Sequence, residues 1–166
     1  MLRVSFSCLV TCIGLLISGS FSNASDWPMW RYDASRSAAA PEQLPSELTL
    51  QWTREFSPRK QAWDDTLNLD LMTYDRVFEP VVMNGRLFLG FNDRDKLTAY
   101  DVETGVELWS YFSAGPVRMP PVAWKERVFF GSDDGYLYCL NAADGTLVWK
   151  FRGGPGSQQI LGNQRL

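Results

Sequence analysis

The chain has 166 residues, of which 16 are Lys or Arg and 19 are Asp or Glu, giving a net charge of −3. The basic residues form no run or stripe, so no nucleic-acid partner is expected. Histidine is absent altogether, which excludes a Ser-His-Asp triad, the usual zinc sites and any histidine acid–base step.

Met1-Leu2-Arg3 gives a short positive start, and residues 4–21 carry no charge. Ser22-Asn23-Ala24 then places small residues where a signal peptidase reads. The pattern predicts a secretory signal over residues 1–24, cleaved after Ala24, because the apolar core is short for a membrane span and polar chain follows it directly. An exported protein, periplasmic or extracellular, is the consequence. Membrane contact is expected only if this segment stays attached; a lipid on Cys12 is disfavoured by the preceding Thr11. Cys8 and Cys12 leave with the signal, so Cys139 remains alone without an intrachain disulfide and is expected to act as a small apolar residue.

From 25 to 47 the chain is rich in Pro, Ala and Ser and reads as an irregular segment crossing the surface. Residues 48–56, "LTLQWTREF", read as a single outer strand centred on Trp52. Residues 57–79 are too long for an ordinary connection between strands. They form either a lid or a decorated surface loop, with Trp63 and Tyr74 as apolar anchors.

A repeat follows. "PVVMNGRLFLGFNDRDKLTAYDVETGVELW" (80–109) aligns with "PVAWKERVFFGSDDGYLYCLNAADGTLVW" (121–149). Pro80 falls on Pro121, Gly90 on Gly131, Leu97 on Leu137, Gly105 on Gly145 and Trp109 on Trp149. Each copy reads as four short strands. Asn84-Gly85 is a strong two-residue hairpin signal, since both residues tolerate positive φ. "RLFLGF" is apolar on both faces, as a strand between sheets should be. A four-stranded unit of about 40 residues is the signature of a propeller blade. The fold class is therefore all-β: a partial β-propeller with blades at 80–115 and 116–154, an extra outer strand before them, and the start of a further blade at 155–166.

Within each copy the turn chemistry explains the spacing. Asp101 is placed to bond the backbone of the turn that follows it, Gly105 supplies the positive φ that ends that turn, and Trp109 presents a flat ring to the neighbouring blade. Aromatic burial of this kind contributes about 2–3 kcal/mol.

"AYDVETGVELW" (99–109) resembles the repeat of pyrroloquinoline-quinone-type (PQQ-like) propellers, A-x-D-x-x-T-G-x-x-x-W. Ala99, Asp101, Thr104, Gly105 and Trp109 match. In the second copy Cys139, Asn141 and Asp144 replace Ala, Asp and Thr, while Gly145 and Trp149 hold. In that family an isolated outer strand such as the one at Trp52 completes the last blade, and rings have six to eight blades. Two blades, one strand and a short lead-in therefore imply an N-terminal portion of a propeller. Its partners would be the remaining blades, a second copy of itself, or another protein.

The resemblance also places ligands at one end of the ring. Here that end comprises residues 92–95, 113–121, 132–135 and 153–158. Asp93, Asp95, Asp133 and Asp134 are oxygen donors for calcium in principle, but their spacing matches no calcium loop and solvated turns are the plainer reading. Arg118 would meet an anionic ligand or simply bridge to a neighbour. "GGPG" (153–156) lacks the lysine and helix of a phosphate cradle.

Three functions follow from the resemblance. The first is a binding or scaffolding module without chemistry, with no catalytic or metal residue and no cofactor of its own. The second is part of a quinone-dependent dehydrogenase, with PQQ and calcium. The third is a scaffold resembling the propeller lipoproteins of outer-membrane protein assembly. The dehydrogenases of this family often carry two adjacent cysteines beside the cofactor, which this chain lacks. The expectation is the first, since repeat resemblance alone speaks for fold.

Overall fold

A computed structural model describes residues 25–56 and 79–156. The signal expected at 1–24 with Cys8 and Cys12, the loop at 57–78 with Trp63 and Tyr74, and residues 157–166 lie outside the described residues.

Eight strands form two sheets. β1 (Val81–Met83), β2 (Arg86–Phe91), β3 (Lys96–Asp101) and β4 (Glu107–Phe112) pair in sequence order, and β5 (Val122–Trp124), β6 (Arg127–Gly131), β7 (Tyr136–Asn141) and β8 (Leu147–Arg152) do the same. Every pairing is antiparallel. Each sheet is a four-stranded propeller blade, and the described residues contain no helix. The copies agree down to their irregularities. The register shifts between Ala99 and Tyr100 in one blade and between Cys139 and Leu140 in the other.

The hairpins show what the repeat preserves and what it trades. Asn84 and Gly85 turn β1 into β2 at φ 50° and 71°. The equivalent Lys125 and Glu126 adopt φ 45° and 63°, although a Cβ disfavours this region.

The main core lies between the blades. Val81, Phe88, Leu97 and Ala99 of the first meet Ala123, Val128, Phe130, Tyr138 and Leu140 of the second, with Trp109 and Tyr111 packed against them. Strand alternation divides the faces: Leu97 and Ala99 point downstream to the second blade, whereas Leu89, Phe91 and Tyr100 form a separate upstream cluster. Cys139 is a free, buried thiol, and its desolvation raises its pKa above the ordinary 9.0.

The segment 25–47 has no strand, but it is anchored. Trp27 exchanges two backbone hydrogen bonds with Val82, at 2.9 and 2.8 Å, and Ala123 N–H donates to Pro28 O at 2.7 Å. One short stretch of chain thus ties the first strand of both blades together. The outer strand expected at 48–56 differs from expectation: these residues form no strand. A strand exists through a ladder with a partner's backbone, which residues 48–56 do not form among the described residues. Their side chains nevertheless dock on the first blade.

Candidate functional site

The repeat signature builds a turn first. Asp101 Oδ1 accepts from Thr104 N at 2.8 Å, Thr104 Oγ1 at 2.7 Å and Glu103 N at 3.2 Å. The Thr104 hydroxyl, followed by its backbone N–H, holds the Asp101 carboxyl below its ordinary pKa of 3.8. Gly105 N–H closes the turn on Asp101 O at 2.9 Å, with Gly105 at φ 69°. In the second copy two residues divide the work of Asp101. Asn141 Oδ1 accepts from Ala143 N at 3.0 Å, and Asp144 Oδ1 accepts from Thr146 N at 3.0 Å and Thr146 Oγ1 at 2.7 Å. Thr146 supplies the hydroxyl one position after the glycine, which reading the signature alone does not reveal.

The turn then becomes a socket for an indole. A Cβ added to Gly145 would stand 2.5 Å from Trp109 Cε3, and Trp109 Nε1 donates to Ala142 O at 3.2 Å. A Cβ on Gly105 would stand 2.7 Å from Trp52 Cε3, and Trp52 Nε1 donates to Val102 O at 2.9 Å. The same socket is thus filled twice, each time by a tryptophan lying earlier in the chain than its glycine. In both cases the indole N–H meets the carbonyl three residues before the glycine.

Around Trp52 the contacts continue with period two. Arg54 Nη1 donates to Gly105 O at 3.0 Å, its guanidinium lies 3.6 Å from Glu107 and 4.6 Å from the Tyr100 ring centre, and Phe56 meets Phe91 edge-on at 5.2 Å. Trp149, by contrast, is 42 % exposed. It touches Phe129 of its own blade at 6.0 Å, as Trp109 touches Phe88 at 5.9 Å.

The loops at the expected ligand end are joined to each other. Arg118 pairs with Asp133. Asp134 accepts from Ala114 N at 3.1 Å, Tyr136 N at 3.0 Å and the Tyr138 hydroxyl at 2.5 Å. Ser113 and Ser132 both donate to Gly115 O, at 2.8 and 2.9 Å. Asp93 lies 3.8 Å from Arg94 Nε, and the Asp95 carbonyl accepts from Ser113 N at 2.8 Å. Burial, then the bond to Asp134, raises the Tyr138 pKa far above 10.0. Among the described residues no three His, Cys, Asp or Glu side chains converge as metal ligands. The carboxylates of Asp133 and Asp134 are bound within the protein.

Four-stranded antiparallel blades joined by tryptophan–glycine sockets define a β-propeller with PQQ-like repeats. The family model described as outer membrane protein assembly factor BamB matches residues 22–165, and the chain belongs to that family. It is 32 % identical over 135 residues to the dehydrogenase subunit of a quinone alcohol dehydrogenase of Gluconobacter oxydans (strain 621H), covering 75 % of this chain and 17 % of that protein. It is 33 % identical over 101 residues to a quinohemoprotein alcohol dehydrogenase of Comamonas testosteroni, covering 52 % and 14 %. The crystal structure of quinohemoprotein alcohol dehydrogenase from Comamonas testosteroni superposes with a TM-score of 0.54 at 23 % identity, over 79 % of this chain and 20 % of that one. The chain therefore spans no more than about a fifth of the length of these relatives.

Proposed function

We propose that this chain is a section of an exported PQQ-repeat propeller that serves as a non-catalytic scaffold, joining further blades or a protein partner through its blade faces. One observation supports the reading: each signature residue has a structural place, with Asp101, Thr104 and Gly105 and their counterparts Asn141 and Gly145 in turns, Trp109 and Trp52 in the sockets at Gly145 and Gly105, Ala99 buried in β3 and Trp149 against Phe129 of its own blade. The internally bound Asp133 and Asp134 support it from the loop end. Export rests on the uncharged, apolar run at residues 4–21 and on membership of a family described by an outer-membrane assembly factor.

A second reading, part of a PQQ-dependent dehydrogenase, is favoured by the identity to quinone alcohol dehydrogenase subunits. Titrating the full chain with calcium and then PQQ separates the two. The scaffold predicts no saturable change in quinone absorbance or tryptophan fluorescence. A calcium-dependent, saturable shift would move the assignment to the dehydrogenase.

A further inference from the structure

We infer that the cleft between the two blades, where β4 and β8 run beside it, is a docking site for an extended acidic segment of a protein partner, with carboxylates two residues apart. The inference rests on the scaffold reading and names the chemistry of its partner.

Both walls of the cleft lie within the described residues, so its form depends on no further blade. Tyr136 stands opposite Arg152, and Tyr138 opposite Lys150, in the ladder between β7 and β8. Tyr138 belongs to the core between the blades and Tyr136 packs against it. This face of β8 therefore turns toward the first blade, because residues opposite each other share a face. Tyr111 of β4 forms the other wall, its ring centre 5.6 Å from that of Tyr138.

The cations are not part of the blade repeat. At the corresponding positions the first blade carries Lys96, Thr98, Ser110 and Phe112, and there Lys96 Nζ donates to Ser110 Oγ at 3.2 Å. In the second blade rings hold the charges instead. Lys150 Nζ lies 4.6 Å from the centre of Tyr136, and the Arg152 guanidinium lies 5.5 Å from it. A ring fixes a cation in place without neutralising it. Among the described residues Lys150 has no hydrogen bond or ion pair, and Arg152 has only the bond from Nε to Gly156 O at 2.7 Å. Asp134, beside them, is committed to Ala114 N, Tyr136 N and the Tyr138 hydroxyl. Two positioned cations without a carboxylate therefore call for an anionic occupant.

Its shape follows from the strand. Lys150 and Arg152 are two residues apart on one face, a spacing of about 7 Å. An extended chain with acidic residues at alternate positions has the same spacing. β8 ends its sheet, so such a segment can lie along it.

The test is fluorescence anisotropy with the full chain and two dye-labelled peptides with blocked termini, Thr-Glu-Thr-Glu-Thr and Thr-Thr-Glu-Glu-Thr. They share composition and charge, but only the first puts both carboxylates on one face when extended. The first should bind saturably, at least several-fold tighter than the second, and weaken as salt rises. Lys150→Ala with Arg152→Ala should lower its affinity about tenfold or more, and Lys125→Ala should leave it unchanged. Equal binding of the two peptides, no saturable binding, or binding indifferent to loss of Lys150 and Arg152 overturns the inference. Inorganic phosphate that displaces the first peptide at equal concentration also overturns it and leaves a site for small anions. If the double variant does not fold by circular dichroism, Lys150→Ala alone, which removes no hydrogen bond, is read in the same way. Calcium-dependent quinone binding by wild type would count against the scaffold reading itself, whereas failure of the peptides leaves that titration unaffected.

Discussion

The ring of Trp109 occupies the space that any side chain on Gly145 would need: an added Cβ would stand 2.5 Å from Cε3 and 2.6 Å from Cδ2. Gly145 is also at φ 73°, so steric room and backbone geometry both demand glycine. Gly145→Ala should destabilise the protein by about 2–4 kcal/mol, combining the left-handed penalty with overpacking. Gly135→Ala, at φ 83° with nothing within 4 Å, isolates the backbone part and should cost about 1–2 kcal/mol. Urea unfolding of both variants checks the difference. Equal losses would show that the indole does not define the socket.

The coupling between the two residues can be measured directly. In a Trp109→Leu background the added methyl of Gly145→Ala no longer meets a ring, so its cost should fall by about 1–2 kcal/mol relative to wild type. Trp109→Leu alone should cost about 2–4 kcal/mol, through lost packing and the bond to Ala142 O. Strict additivity of the two changes would remove the claim that this contact joins the blades.

Much of this architecture was legible because blade repeats write their turn chemistry locally. Asp101, Thr104 and Gly105 lie within five consecutive residues, and their mutual bonds follow from that spacing. The hairpin at Asn84-Gly85 and the division into two sheets were legible for the same reason. The socket was only half legible. Trp109 lies in the same repeat as Gly105 but rests on Gly145 of the next, and a contact across repeats leaves no trace in the spacing within one. The segment 48–56 carried a strand pattern because Trp52, Arg54 and Phe56 alternate toward the first blade, whereas strand formation depends on a partner's backbone. Nothing in residues 31–38 announced positive φ at Arg31, Tyr32, Arg36 and Ala38, none of them glycine or asparagine. The bond from Tyr138 to Asp134 was equally hidden, since neither residue belongs to the signature.

The second hairpin offers a stabilising change. Lys125 and Glu126 hold φ 45° and 63° with side chains exposed, where the first blade uses Asn84 and Gly85. Replacing them by Asn and Gly, Lys125→Asn with Glu126→Gly, relieves two disfavoured backbones and should raise stability by about 1–2 kcal/mol. The loss of Lys125 from the face of Trp124, at 4.3 Å, offsets a few tenths of this. A higher thermal midpoint supports the reading; a lower one would mean the turn is not strained.

Acid should loosen the first turn through Asp101. Its folded pKa is depressed below 3.8, chiefly by the Thr104 hydroxyl. Its contribution is therefore present above 3.8 and is lost as pH falls from there through the folded value. Asp101→Asn should flatten this part of the acid limb. Comparing unfolding midpoints of the two proteins between neutral pH and pH 3 reads the effect, and parallel curves would assign the acid sensitivity elsewhere.

Alkali should act through Tyr138, whose buried ring and bond to Asp134 favour the neutral phenol. A tyrosine of raised pKa binds its proton more tightly folded than unfolded. Its contribution is thus complete below 10.0, the ordinary value, and declines as pH rises beyond it, because the unfolded chain then ionises first. Tyr138→Phe removes that dependence. It also costs about 1–2 kcal/mol near neutral pH, as a partly wet, charge-assisted hydrogen bond should. Asp134 keeps its bonds to Ala114 N and Tyr136 N in the variant, so the loops should stay joined and the loss should remain small. Unfolding followed by circular dichroism from pH 7 to 11 tests both parts. An alkaline limb unchanged by Tyr138→Phe would show that other tyrosines govern it, and a loss well above about 3 kcal/mol would mean that this one bond holds the loop end together.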